Sequence, residues 1–162
     1  MKSVVIKICK ENIHFTAAHF TIFSPTSRER VHGHDYFIKA AVSCYVNEST
    51  GMCFDYAILK HFLKQLAESV DEYFLLPGLS SIMPLKTVGD NVEFVFNQQA
   101  FSLPSTDVKI LPVTNISNES LAAWFLEELL KIWRPLPQDI FLIDLEVENG
   151  RGQSISSQWS KA

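Results

Sequence analysis

A chain of 162 residues suits one domain, and 47% hydrophobic with 20% charged residues is the balance of an ordinary soluble globular protein. A formal net charge of -4 argues against a nucleic-acid surface. No apolar run is long enough to span a membrane, and Lys2 and Lys7 interrupt any leader-like hydrophobic segment. The cysteines, Cys9, Cys44 and Cys53, form no C-x-x-C pair and leave one over, so reduced thiols in a cytoplasmic protein are expected.

Residues 3–9 and 13–20 read as β-structure, and Ser24-Pro25-Thr26-Ser27 is turn chemistry. The longest strand candidate runs from His34 to Val46 and stops at the polar stretch Asn47 to Gly51. Asp55 caps a helix over 56–69, whose Tyr56, Leu59, Leu63, Leu66 and Val70 recur at spacings of three and four. His61 lies off that stripe and reads as a surface residue. Residues 71–84 read as loop, with Pro77-Gly78 and Pro84 as breakers. A hairpin follows, with strands at 91–96 and 100–103 around Asn97-Gln98-Gln99, then a strand at 107–111. Ser117 is the expected N-cap of a second helix, with Glu119 in the first turn and an inward stripe of Leu121, Phe125, Leu129 and Ile132. Pro135 ends it. Alternation of Ile143, Leu145 and Val147 with Asp144, Glu146 and Glu148 marks a strand. Asn149-Gly150-Arg151-Gly152 turns it into a closing strand over 153–159. The layout is ββαββα-like: an α+β fold of two antiparallel hairpins, each with a covering helix.

The segment most charged with chemistry is Val31-His32-Gly33-His34-Asp35-Tyr36, read with His19 upstream. On a strand, residues i and i+2 point to one face, so His32 and His34 can aim at one ion. His19, folded back across the turn, would complete a three-histidine site with an open fourth position, the arrangement of a catalytic zinc. The alternative is two histidines on a polar sheet face. Gly33 between them would let a chain or substrate approach closely.

The order His19, His32-Gly33-His34, Gly51-Met52-Cys53-Phe54-Asp55 with Leu59-Lys60, Ser117-Asn118-Glu119 and a late Glu148 resembles the 6-pyruvoyl-tetrahydropterin synthase family. That family includes the 6-carboxytetrahydropterin synthases of queuosine biosynthesis. The resemblance covers roughly residues 4–160. It implies a tunnelling fold (T-fold), an antiparallel sheet with two helices on one face, in a single domain over 1–162 with an inserted hairpin at 86–111. It implies barrel-like trimers joined into a homohexamer, zinc on His19, His32 and His34, and 7,8-dihydroneopterin triphosphate as substrate. Glu148 falls at the pterin anchor, with Glu146 as the alternative. Ser117, Asn118 and Glu119 fall in the segment that helps hold the pterin. A carboxylate suits a pterin because it accepts the adjacent N–H and amino donors as a bidentate pair.

Two departures stand out. Most of the family carries a catalytic cysteine shortly before His-Gly-His, but residues 26–31 contain none. Arg28-Glu29-Arg30 resembles instead a subgroup with glutamate in that place, whose product is 6-hydroxymethyl-7,8-dihydropterin, a folate precursor. Glu29 is therefore the candidate base; alone, it also reads as a solvated loop residue paired with Arg28 or Arg30. Those arginines are candidates to attract the triphosphate. The family's Asp-His proton relay falls on Asp71-Glu72, so the histidine is lost. Asp71 and Glu72 stay on the list of candidate catalytic groups. Cys44 and Cys53 sit in apolar surroundings and read as inert thiols. Three functions remain open: the hydroxymethyldihydropterin-forming lyase, a 6-pyruvoyl- or 6-carboxytetrahydropterin synthase, and a non-catalytic pterin- or purine-binding module.

Overall fold

The computed structural model describes residues 2–150 and 152–161, so Arg151 of the last turn lies outside the described residues. In chain order the elements are β1 (Ser3–Ile8), β2 (His14–His19), β3 (Ile22–Ser24), β4 (Ser27–Arg28), β5 (His32–Tyr45), α1 (Tyr56–Glu68), β6 (Tyr73–Pro77), β7 (Lys86–Val88), β8 (Asn91–Phe96), β9 (Gln99–Pro104), β10 (Val108–Leu111), α2 (Asn118–Ile132), β11 (Ile140–Asn149) and β12 (Ser154–Ser160).

The 14 residues of β5 organise the molecule. β2 pairs antiparallel with its first part and β1 with its second, end to end along one edge, while β11 pairs along the other. The main sheet runs β10-β6-β2-β5-β11-β12, with β1 beside β5. Two hairpins are therefore not the arrangement: β1 and β2 do not pair with each other, and both need the one long strand.

Alternation then assigns every side chain a face. Tyr36, Ile38, Ala40, Val42 and Cys44 of β5 join Ile143, Leu145 and Val147 of β11 in the main core. The helices cover this face with Leu59, Leu63 and Leu66 of α1 and Leu121, Phe125 and Leu129 of α2. Both caps form as the sequence indicates. Asp55 accepts the Ala57 N–H at 2.9 Å and Ser117 accepts the Ser120 N–H at 3.3 Å. Ile132 is 39% exposed and falls out of the inward stripe; Trp133, 5% exposed, fills that end of the core instead. The opposite sheet face carries Asp35, Phe37 and Lys39 of β5 and Glu146 and Glu148 of β11, with no helix over it among the described residues.

The stretch expected to be loop contains β6, whose Leu75 and Leu76 are fully buried. It pairs in parallel with both β2 and β10. Pro77 sits at its last residue, where a missing N–H costs little, so a breaker marks the strand's end rather than its absence. Gly78 follows because β10 passes close: a Cβ there would stand 2.8 Å from Ile110 Cγ2 and 3.0 Å from Leu111 O. Residues 86–111 divide in two. β7, β8 and β9 form a separate three-stranded meander, and β10 belongs to the main sheet. The meander turns at Asn97 and Gln98, both at positive φ, the conformation tight two-residue hairpins require. With Phe20, Ile22, Leu76, Met83 and Val108 it encloses a second apolar core, centred on Phe94 and Phe96.

Candidate metal centre and the open face

Pairing register gathers the histidines. His19 lies opposite His32 and Ala17 opposite His34. Ring centroids are 4.7 Å apart for His19–His32, 5.3 Å for His19–His34 and 4.6 Å for His32–His34. One nitrogen from each lies within 4.8 Å of the others. Tyr36 continues the same row, and its hydroxyl is 2.9 Å from His19 Nε2.

Backbone carbonyls select which nitrogens face inward. His19 Nδ1 is 3.2 Å from Ile116 O, and His32 Nδ1 is 2.7 Å from Arg30 O. A carbonyl only accepts, so each Nδ1 carries the proton and each Nε2 presents a lone pair. His32 Nε2 and His34 Nε2 stand 2.8 Å apart. Burial, and then the neighbouring His32, lowers the His19 pKa to about 4. The same two causes, in the same order, lower that of His34. Such imidazoles are neutral near pH 7, the form that ligates metal. A cluster of convergent imidazole nitrogens with carbonyl-anchored rings fits a divalent borderline cation such as zinc.

Glu29 stands at the rim. Its Oε2 is 3.9 Å from His32 Nε2 and accepts the Thr21 N–H at 2.9 Å. Its own N–H donates to Thr21 O at 2.9 Å. Burial opposes the charge, but the Thr21 bonds and the nearby histidines outweigh it and hold the carboxyl below its ordinary pKa. A cavity of about 170 Å³ joins His19, His34, Glu29 and Thr21 to Ser117, Asn118 and Glu119 at the start of α2, closed by Asn149, Gln153 and Ile155.

The other expected residues lie elsewhere. Glu148 pairs in register with Phe37 and so projects from the open face, away from the histidines. Lys39 bridges it to Glu146, the latter at 3.3 Å. The Lys39 hydrogen bond is the main cause lowering the Glu148 pKa, and Lys39 is raised in turn. Glu148, Lys39, Asp35, Phe37, His14, Cys9, Lys10 and Glu11 border a broad cavity of about 520 Å³. Asp71 Oδ1 accepts the Thr16 N–H at 2.8 Å, and the Glu72 N–H donates to Thr16 O at 2.7 Å. Glu72 adopts φ 62°, uncommon for a residue with a side chain. Thr16 pairs with Asp35 and turns its hydroxyl to that carboxylate at 2.7 Å, on the open face. Neither Asp71 nor Glu72 borders the histidine cavity. Gly33 also faces the open side, where a Cβ would stand 3.4 Å from Ala17 O, an ordinary contact.

Arg28 is not free for a triphosphate, because its guanidinium is caged by aromatic rings beside the meander. Cys44 is fully buried, and burial first, then Cys53, pushes its thiol up to about 12. It is inert, as its surroundings suggest. Residue-level reading missed Thr21, Asn149 and Gln153 at the cavity, and Lys39 at the carboxylates. Tyr36 had a usable signal, since it is the next residue in the same-face row after His34. The others are brought in by turns and register that only the folded chain defines.

A sheet covered on one face by two helices, with three histidines meeting on its central strands, defines a tunnelling-fold protein. The chain superposes on a 6-pyruvoyl tetrahydropterin synthase from Plasmodium vivax with a TM-score of 0.94 and 22% identity, covering 99% of this chain and 100% of that one. It matches equally a variant of the Plasmodium vivax synthase in which a catalytic glutamate is replaced by alanine, with a TM-score of 0.93, 21% identity, and coverage of 99% and 100%. In sequence it is 26% identical over 144 residues to a Methanocaldococcus jannaschii protein provisionally named 6-carboxy-5,6,7,8-tetrahydropterin synthase, covering 87% of this chain and 86% of that protein. The pattern of the 6-pyruvoyl tetrahydropterin synthase family matches residues 7–156, and the chain belongs to that family.

Proposed function

We propose that this pterin synthase is a zinc-dependent lyase that converts 7,8-dihydroneopterin triphosphate to 6-hydroxymethyl-7,8-dihydropterin. The observation that carries the reading is Glu29, a carboxylate held 3.9 Å from His32 Nε2 and bordering the cavity that it shares with His19 and His34. No cysteine borders that cavity among the described residues. The Plasmodium vivax relative described as having a catalytic glutamate supports the same role.

His19, His32 and His34 would hold the zinc, which when bound lowers the pKa of a coordinated hydroxyl. Glu29 then takes the proton from the hydroxyl on the second side-chain carbon. The bond between the first and second carbons breaks, and its electron pair stays on the first carbon, delocalised into the pterin ring. That carbon is reprotonated to a hydroxymethyl group. The second carbon becomes an aldehyde and leaves together with the third, which still bears the triphosphate. A carboxylate is a weaker base than a thiolate, which suits removal of a hydroxyl proton better than removal of one from carbon.

Ser117, Asn118 and Glu119 hold the substrate beside the zinc in this reading, and Glu148 anchors the pterin edge. Glu148, Asp71 and Glu72 reach a substrate at the histidines of another copy, within a hexamer of barrel-like trimers. What supports this is that the sheet separates Glu148 from the histidines of its own chain, and that neither Asp71 nor Glu72 borders their cavity. The free thiols Cys9, Cys44 and Cys53 support cytoplasmic residence.

The second reading is a 6-pyruvoyl- or 6-carboxytetrahydropterin synthase of the biopterin or queuosine pathway, the carboxy form favoured by the name of the archaeal relative. Incubating zinc-loaded protein with 7,8-dihydroneopterin triphosphate and weighing the pterin product separates the readings. A hydroxymethyl product is expected. A pyruvoyl or carboxy product overturns the assignment in favour of the second reading, and no product at all leaves a binding module.

A further inference from the structure

Arg28 is adjacent to Glu29 in the chain, but its side chain turns away from the histidines. Its guanidinium carbon lies 4.8 Å from the ring centroid of Phe20, 4.9 Å from Phe101 and 5.6 Å from Phe96. Two of those rings belong to the meander: Phe96 ends β8 and Phe101 lies in β9. Arg28 Nη2 donates to Gln99 Oε1 of the meander at 3.0 Å, and Nη1 donates to the backbone carbonyl of Glu29 at 2.7 Å. One planar cation thus joins the meander to the peptide that carries the proposed base. A guanidinium is suited to this, because its faces stack on aromatic rings while its edge donates in fixed directions.

The remaining bonds of the loop complete a frame. Thr21 holds the Glu29 carboxylate and N–H. The Asn115 carboxamide bonds both the N–H and the carbonyl of Ile22, at 3.0 and 2.9 Å. Asn97 at the meander's turn reaches Thr26 O at 3.5 Å. The turn between β3 and β4 is thereby fixed on one side by the main body and on the other by the meander. From the meander side, Arg28 carries the link to Glu29, through the bond to its carbonyl.

We propose that Arg28 is a positioning residue for Glu29, and that the β7–β9 meander serves as its buttress, holding the carboxylate within reach of the histidine centre. The proposal rests on Glu29 being the base. Arg28 touches neither the histidines nor the cavity, so its effect passes through Glu29.

The test compares Arg28→Met, Arg28→Lys, Glu29→Gln and the double variant Arg28→Met/Glu29→Gln, each zinc-loaded, with 7,8-dihydroneopterin triphosphate as substrate. Methionine keeps the length and apolar packing but removes the charge and both hydrogen bonds. Arg28→Met is expected to lower kcat roughly 10- to 100-fold while KM changes less than about threefold, since an ångström of misplacement acts on the chemical step. Arg28→Lys is expected to recover little, because lysine is a point charge and cannot make both directed bonds over stacked rings. In the Glu29→Gln background, Arg28→Met should add no further loss, because the group it positions is already gone. Zinc content should match wild type throughout.

The outcomes separate the two ideas. If Glu29→Gln is silent, the base assignment fails and Arg28 has nothing to position. If Glu29→Gln is slow but Arg28→Met keeps wild-type kcat, the positioning proposal alone is overturned. Losses that multiply in the double variant overturn it too, since they assign Arg28 a separate role. Should Arg28→Met fold poorly, Gln99→Ala cuts the same link from the meander side. A smaller loss in kcat without a change in KM supports the proposal, and unchanged kcat contradicts it.

Discussion

On the helix-covered face of the central sheet three imidazoles turn toward one another; on the open face carboxylates and a lysine are held in ion pairs. Both rows are carried by β5, His32 and His34 at even positions and Asp35 and Lys39 at odd ones, so a single residue of register separates them. The difference follows from what covers each face. On the core side of the sheet, burial disfavours charge and lowers the pKa of His19 and His34. On the open face Lys39 pairs with both Glu146 and Glu148. A cluster of imidazole nitrogens suits a cation, and a pair of carboxylates suits a ligand with N–H donors. On the reading proposed above, these are the two halves of one site, facing away from each other within a chain.

The largest effect that would sharpen the contrast is on the covered face. His32→Ala should lose stoichiometric zinc and essentially all turnover, measured by metal analysis and product formation. Zinc content equal to wild type would remove His32 as a ligand. Next is Glu29→Gln, which keeps shape but removes the basic lone pairs. Turnover should fall by roughly two to four orders of magnitude with zinc retained. A variant with more than about half of wild-type turnover would move the base to Asp71 or Glu72.

On the open face the expected effect is smaller and of a different kind. Glu148→Gln should leave zinc bound and weaken pterin affinity about 10- to 100-fold, the range for losing a charge-assisted hydrogen bond, measured by fluorescence titration. Unchanged affinity there, with a loss in Glu146→Gln, would shift the anchor by two residues.

The smallest effect concerns the metal-free protein. His19 titrates near 4 when folded and near 6.5 when unfolded. Between those values the unfolded chain binds the extra proton, so stability falls as pH drops through that window. Urea unfolding in the presence of a chelator should show a loss of about 2 kcal/mol from this group between pH 7 and pH 5. His19→Gln should flatten that slope, and an unchanged slope would mean that His19 is not neutral in the fold.

The covered half of this arrangement was legible in the chain. Alternation in His32-Gly33-His34 and the turn at Ser24–Ser27 were enough to bring His19 beside them, and the capping residues Asp55 and Ser117 announced both helices. The open half was not, because it depends on pairings between distant strands. Glu148 reads as an anchor in sequence, but its face is set by its register with Phe37, 111 residues away along the chain. β6 was hidden because parallel pairing leaves no local turn signal, and Pro77 at its end, with Gly78 and Pro84 beyond it, looked like loop. Arg28 read as a phosphate ligand because nothing in the sequence says that Phe96 and Phe101 arrive beside it.

On the proposed reading, the division between faces makes its most direct claim about assembly: histidines and Glu148 that work on one substrate come from different chains. Co-expressing His32→Ala and Glu148→Gln chains, each inactive or impaired alone, tests it. In a randomly mixed oligomer roughly a quarter of the sites would combine intact histidines with an intact Glu148 from a neighbour. The expected result is turnover in the mixed assembly near that fraction of wild type. Mixed assemblies that form, bind zinc through their intact histidines and yet turn over no faster than the average of their parents would contradict it.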